Sequence, residues 1–234
     1  MRAPTPIGAL LLGLAAAAAL ARLAGASIPL ARLAPVIGRG ARSGIGIGVF
    51  EQGGFVVDGG RRPEGGAAPV VARLPFPRDW RLLLVLDPTR QGLHGSGESS
   101  AFAALPPFPP ALAGRLCREL LLRLLPGLAE EDFAAVSAAL GTIQAELGDY
   151  FSGAQHGRFS SPAVAAALGW AAAQGIAGIG QSSWGPTGFA LLPSEADALE
   201  LAAALRNRFG DPLVFRIAAG SNRGAEISIT ESVS

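Results

Sequence analysis

From Gly8 to Ala21 the chain reads GALLLGLAAAAALA, a run in which every residue is apolar or small, stopped by Arg22. A helix without a polar side belongs at the centre of a domain, and that constrains the fold more than any other segment. Crossing a bilayer takes about 20 such residues, and this run falls short. A secretory signal would use Arg2, the apolar stretch and a cleavage site at Ala24-Gly25-Ala26. Arg22 interrupts that pattern, and the periodicity runs on through Ile28–Leu33 as in a helical hairpin. We therefore expect a buried helix over about 8–24, a short helix near 30–37, and no membrane span.

At 234 residues, half of them hydrophobic, the chain makes one large or two small globular domains. A net charge of +1 argues against a general nucleic-acid binder. All 19 basic residues are arginine, which excludes a Walker phosphate loop and a lysine Schiff base. The single Cys117 excludes an intramolecular disulfide and a multi-cysteine zinc site. Its helical surroundings mark it as a buried packing residue, and a reducing, cytoplasmic setting fits.

After the second helix comes a Gly/Arg loop over 38–48, then short strands at Phe55–Asp58 and Val70–Leu74 with a polar turn between. Arg81–Leu86 is a clean buried strand. A loop at Gly92–Glu98 leads into a helical segment broken by Pro106–Pro110, and helices follow at about 111–125, 130–147 and 161–174. Then come a polar turn at 178–186, a strand Thr187–Leu192, a helix Ser194–Arg208 capped by Ser194, and closing strands Val214–Ala218 and Glu226–Thr230. The order describes an α+β sandwich with helices on one face of an antiparallel sheet. We place a domain boundary near residue 75, giving 1–75 and 76–234.

Familiar catalytic signatures are missing. No serine has glycine at both −2 and +2, and neither His94 nor His156 sits in a zinc-binding pattern. Gly44-x-Gly46-x-Gly48 fails the dinucleotide fingerprint. Two segments remain. Gly38–Gly48 combines five glycines with Arg39 and Arg42, the composition of an anion site, although a plain Gly-rich turn is equally open on composition. Gln181-Ser182-Ser183-Trp184-Gly185-Pro186 suits contact with a polar ligand, a wide turn with a packing tryptophan being the alternative.

Arg39–Gly46, Phe50–Gly60 and Gln181–Pro186, with Gly92–Glu98 and Ala219–Glu226, resemble the beta-ribofuranosylaminobenzene 5′-phosphate synthase family of the GHMP kinase superfamily. The resemblance implies a GHMP-kinase-like two-domain architecture whose second domain is a ferredoxin-like α/β sandwich. It implies a transferase that condenses phosphoribosyl pyrophosphate with 4-aminobenzoate, releasing CO2 and pyrophosphate, in tetrahydromethanopterin biosynthesis. A magnesium ion and a homodimer are implied as well. Kinases of the superfamily often carry Ser-Gly-hydrophobic-Asp where this chain has Ser43-Gly44-Ile45-Gly46, and glycine supplies no base. That favours the synthase over an ATP-dependent small-molecule kinase. The family places a Gly/Ser-rich phosphate loop and several strands before the first helix. The chain opens Met1–Ile7 without them, so the first domain is expected to be incomplete, and an inactive truncated copy is a further alternative.

On this resemblance, Arg39 and Arg42 would bind the anionic groups, with the backbone of Ser43, Gly44, Ile45 and Gly46 completing a cradle. Asp58 and Glu98 would serve the metal or the developing ribose cation as catalytic residues. Gln181, Ser182 and Ser183 would orient the ribose or the aromatic acid, with Trp184 stacking on the ring. The two segments are expected to converge on one substrate.

Overall fold

The computed structural model describes residues 6–38, 40, 43–60, 65–93 and 95–228. The chain divides into two units, one formed by Met1–Phe76 with Ser221–Ser234, the other by Pro77–Gly220.

In the first unit the apolar run forms α1 (Pro6–Leu23), followed by α2 (Leu30–Val36), α3 (Ile45–Gln52), β1 (Phe55–Asp58) and β2 (Val70–Leu74). Its core gathers Leu14 and Ala18 of α1, Leu30 and Ala34 of α2, and Ile47 and Phe50 of α3. The expectation that α1 is covered on all sides is corrected here: Leu20 and Leu23 are exposed. Two strands and two short helices offer too little surface to wrap it. Among the described residues no helix is long and apolar enough to cross a membrane.

Helix α3 occupies a span expected as loop, since glycine in a helix costs about 1 kcal/mol relative to alanine. Packing outweighs that cost. Ile47 and Phe50 are buried one turn apart, and a Cβ on Gly48 would lie 2.7 Å from Val70 Cγ2 and 2.9 Å from Val56 Cγ1. Glycine is what lets α3 lie against the β1–β2 hairpin. The closing strand expected at Glu226–Thr230 is also corrected. Residues 226–228 have no strand pairing, and 229–230 lie outside the described residues. Instead Ser221–Ala225 straps across the first unit. Gly54 N–H donates to Ser221 O (2.7 Å) and Ala225 N–H to Phe50 O (2.7 Å). Arg73 donates to Gln52 O, Gly53 O and Asn222 O, while Asn222 exchanges two hydrogen bonds with the Phe76 backbone. Gly53, at φ +62°, could carry no side chain, because a Cβ would stand 2.6 Å from the carbonyl oxygens of Ser221 and Arg223.

The second unit contains β3 (Arg81–Leu86), α4 (Gly95–Ala104), α5 (Pro110–Glu119), a π-helical turn (Leu120–Leu124), α6 (Leu125–Glu130), α7 (Phe133–Gln155), α8 (Pro162–Ala173), β4 (Ile179–Gln181), β5 (Gly188–Leu192), α9 (Glu195–Phe209) and β6 (Val214–Ala219). The strands form one antiparallel sheet in the order β4-β5-β3-β6. Alternation along β3 turns Leu83 and Val85 to one face, where α8 and α9 cover them with Val164, Ala167, Leu168, Ala171, Ala198, Leu201, Ala202 and Leu205. Ser161 and Ser194 cap α8 and α9 with their side chains.

Three expectations for this unit are corrected. Cys117 is exposed, because the buried side of α5 runs through Leu112. Helix α7 runs on to Gln155, past the end expected at 147: Gly148 lies within it, where a Cβ would meet Arg158 Cγ. The 178–186 turn contains the short strand β4, which pairs with β5.

Candidate functional site

The two segments singled out in the sequence lie in different units, and each has a definite local geometry.

In the first unit the start of α3 is tied to the end of β1. Asp58 Oδ2 accepts hydrogen bonds from Ser43 Oγ (2.6 Å) and Gly44 N–H (2.6 Å), and Oδ1 accepts from Gly60 N–H (3.1 Å). Ser43 Oγ in turn accepts from Ile45 N–H (3.2 Å). Gly44 is buried, and a Cβ there would strike Ala68 O. The carboxylate of Asp58 thus fills the place of an anion at the first turn of a helix, where negative charge is favoured. The amide of Gly44, expected in a phosphate cradle, already points at that carboxylate. Ile45 is exposed, and Gly46 adds no side chain to the turn. Arg39 and Arg42 lie outside the described residues, as does His94.

In the second unit the polar turn is built from the inside outward. Gln181, at the end of β4, is fully engaged. Its N–H donates to Gln144 Oε1 (3.0 Å), Nε2 donates to Gln155 Oε1 (3.0 Å) and Ser183 O (3.1 Å), and Oε1 accepts from Ser160 N–H (2.7 Å). That binds the turn to α7 and to the entry of α8, so Gln181 shapes the turn and has no free group for a ligand. Ser182 N–H donates to Thr187 O (2.9 Å). The hydroxyls of Ser182 and Ser183 make no hydrogen bond to the described residues, and Ser183 is exposed at φ +52°. Trp184 is 5% exposed and packs edge-on against Phe102 and Phe151. Its burial suits packing, and stacking on a substrate would require its neighbours to move. Gly92 lies so close to the turn that a Cβ would strike Gly185 O. Glu98 is in the first turn of α4 and is half-buried, so it belongs to a helix and not to the expected loop.

Sequence reasoning missed the polar centre behind this turn. Asp87, 4% exposed at the end of β3, accepts hydrogen bonds from Ser161 Oγ (2.6 Å), Thr89 Oγ1 (2.6 Å) and Thr89 N–H (3.0 Å). Burial pushes its carboxyl up, but the Ser161 and Thr89 hydrogen bonds, together with the nearby Arg90 charge, outweigh it. The group is held below its ordinary value and stays ionised. Arg90 also donates to Ser160 O (3.2 Å). The signals available were Asp87-Pro88 after a strand and Ser161-Pro162 at a helix start, and neither points to the other. Among the described residues no three of His, Cys, Asp and Glu are grouped to hold a metal ion.

Residues 124–211 match the family model described as GHMP kinases C terminal. The beta-ribofuranosylphenol 5′-phosphate synthase of Archaeoglobus fulgidus is 33% identical over 93% of this chain and 70% of its own length. That of Methanothermobacter thermautotrophicus is 28% identical over 92% of this chain and 67% of its own length. Homoserine kinase from Cytophaga hutchinsonii superposes with a TM-score of 0.58 at 17% identity, covering 95% of this chain and 68% of that one. Mevalonate diphosphate decarboxylase from Staphylococcus aureus gives 0.61 at 18%, covering 93% and 65%. At such identities the two structures speak for the GHMP-type α+β fold alone.

Proposed function

The chain belongs to the beta-ribofuranosylphenol 5′-phosphate synthase family, and from that membership we propose that it is a transferase joining an aromatic acid to phosphoribosyl pyrophosphate. The observation that carries this reading is the 33% identity to the Archaeoglobus fulgidus synthase, which extends over 93% of the chain. The ring carbon bearing the carboxylate attacks C1′ of the ribose, and the C1′–O bond breaks with its electron pair leaving on pyrophosphate. Loss of CO2 then returns the C–C pair to the ring, giving a C-riboside 5′-phosphate in the tetrahydromethanopterin pathway. The relatives' name puts a phenol in the product, so 4-hydroxybenzoate joins 4-aminobenzoate as an acceptor. Both rings are made nucleophilic by a para donor and need no base. Gly46, which has no side chain to act as one, supports this chemistry over ATP-dependent phosphorylation of a hydroxyl.

Arg39 and Arg42 bind the phosphates or the acceptor carboxylate in this reading. Asp58 fixes the Ser43–Gly44 turn through the hydrogen bonds described above. Glu98, at the start of α4, or Asp58, at the end of β1, is the carboxylate proposed to face the positive charge that grows on the ribose as pyrophosphate leaves. The hydroxyls of Ser182 and Ser183 are free to orient substrate. A magnesium ion would take most of its ligands from pyrophosphate oxygens and water, with one carboxylate such as Asp58 or Glu98, because the described residues offer no larger cluster. It would neutralise charge on the leaving group. The proposed form is a cytoplasmic homodimer.

Arg42→Ala tests the reading. The Michaelis constant for one anionic substrate should rise about tenfold, equivalent to about 1.4 kcal/mol. Unchanged constants for both substrates would remove Arg42 from the site, and failure of the parent to release CO2 from either acid would refute the synthase reading.

A further inference from the structure

Five aromatic side chains of the second unit form one contiguous group that the proposed chemistry has not used. Phe108 meets Tyr150 (centroids 4.7 Å apart), Tyr150 meets Phe151 (5.0 Å), Phe151 meets Trp184 (5.1 Å), and Phe102 closes on Trp184 (5.2 Å) and Phe151 (5.9 Å). Every pair is edge-to-face. Burial is uneven, with Trp184 5%, Phe108 37% and Phe102 45% exposed. Phe102 is the single large apolar side chain in α4, whose sequence is GSGESSAFAA. A helix that needed only an anchor would bury that ring, yet nearly half of it faces solvent. Phe102 and Phe108, both partly exposed, are joined through Phe151 and Tyr150 into one apolar patch. Trp184 ties the patch to the turn that carries the unengaged hydroxyls of Ser182 and Ser183.

Such a surface is apolar and aromatic on one side and hydrogen-bonding at one end. A small flat aromatic acid has the same division, and the relatives are named for an aromatic product. We propose that the exposed face of Phe102, backed by Trp184 and Phe151, is the floor on which the acceptor ring stacks, with the Ser182 and Ser183 hydroxyls meeting its polar substituents. The proposal rests on the synthase reading and assigns Phe102 as a positioning residue for the acceptor alone. Trp184 supports that floor from below and does not itself face the substrate.

The test compares the parent with Phe102→Leu, which keeps apolar bulk but removes the π face, and with Phe102→Tyr, which keeps the face. Michaelis constants are measured for 4-hydroxybenzoate and phosphoribosyl pyrophosphate, and 4-hydroxybenzoate binding is measured separately by calorimetry. Phe102→Leu should weaken both readouts for the aromatic acid about three- to tenfold, the scale of one aromatic pair, and leave phosphoribosyl pyrophosphate unchanged. Phe102→Tyr should stay within about twofold of the parent, since the stacking face is retained. If Phe102→Leu matches the parent, or weakens both substrates equally through a loosened α4, the subsite is refuted. A parent that binds the acid through Phe102 but does not condense it keeps the subsite and overturns the synthase reading. A parent that neither binds nor condenses it overturns both.

Discussion

Replacing Ser161 with alanine removes two supports at once, and their pH dependences differ. The side chain is fully buried, donates to Asp87 Oδ2 at 2.6 Å and accepts from Val164 N–H at 3.2 Å as the cap of α8. Losing a helix cap costs about 1 kcal/mol. Losing a hydrogen bond to a buried carboxylate costs about 1.5–3 kcal/mol. Together these give a loss of about 3 kcal/mol at neutral pH. With a urea slope of about 2 kcal/mol/M, that lowers the unfolding midpoint by roughly 1.5 M. All three tryptophans, Trp80, Trp170 and Trp184, belong to the second unit, so their fluorescence follows its unfolding. Asp87 is held below its ordinary value of 3.8, so its stabilisation is complete above that pH and is lost as pH falls through the lower, folded value. In Ser161→Ala a donor is gone while burial remains, and the folded value rises. The difference between parent and variant should therefore shrink below about pH 3.8 toward the capping contribution, about 1 kcal/mol. A neutral-pH cost under about 1 kcal/mol, or a cost equal at pH 7 and pH 3, would refute this account of Asp87.

Two further perturbations follow from close contacts. Asp58→Ala should release the start of α3 by about 1–2 kcal/mol, seen as roughly five- to thirtyfold faster hydrogen exchange at the Gly44 and Gly60 amides. Unchanged exchange would mean the carboxylate does not hold that turn. Gly188→Ala would place a Cβ 2.5 Å from Val164 Cγ1 and 2.6 Å from Leu168 Cδ1, both fully buried and unable to yield. A loss of about 1–3 kcal/mol is expected, lowering the melting temperature by roughly 3–10 °C, and a melting curve like the parent's would disprove the tight packing of α8 on β5.

Much of the fold is legible because the relevant signals are local. Phe55–Asp58, Val70–Leu74 and Arg81–Leu86 are apolar runs bounded by glycine, proline or aspartate, and the strands β1, β2 and β3 occupy those spans. Ser194 before Glu195 marks the start of α9 through a hydrogen bond to a residue three positions on. Where the reading failed, a distant neighbour had reversed the local preference. Gly48 is helical because Val56 and Val70 press against it. In sequence Glu226–Thr230 alternates like a strand, but Ile227 joins the core of α1–α3 instead of a sheet. The same division holds at the site. The Gln181–Pro186 turn stood out by composition and Asp58 through the family resemblance, whereas the Asp87–Ser161 pair spans 74 positions and comes together only when α8 is capped beside the end of β3. Three of the groups that occupy Gln181 lie on α7 and before α8, far from it in sequence, so its neighbourhood does not show how fully its amide is taken.

The strap at Ser221–Ala225 has a consequence for how the polypeptide matures. The unit that starts with α1 is interrupted by Pro77–Gly220 and needs the later strap to finish its hydrogen bonding. On a ribosome adding about 5–20 residues per second, the intervening stretch takes roughly 7–30 s to emerge. The contiguous second unit can fold during that interval, while Leu14, Ile47 and Phe50 wait without the Ile227 that later packs against them. Helices α1–α3, made before the second unit, are thus sealed only after it has emerged, and chaperones would find their exposed client there.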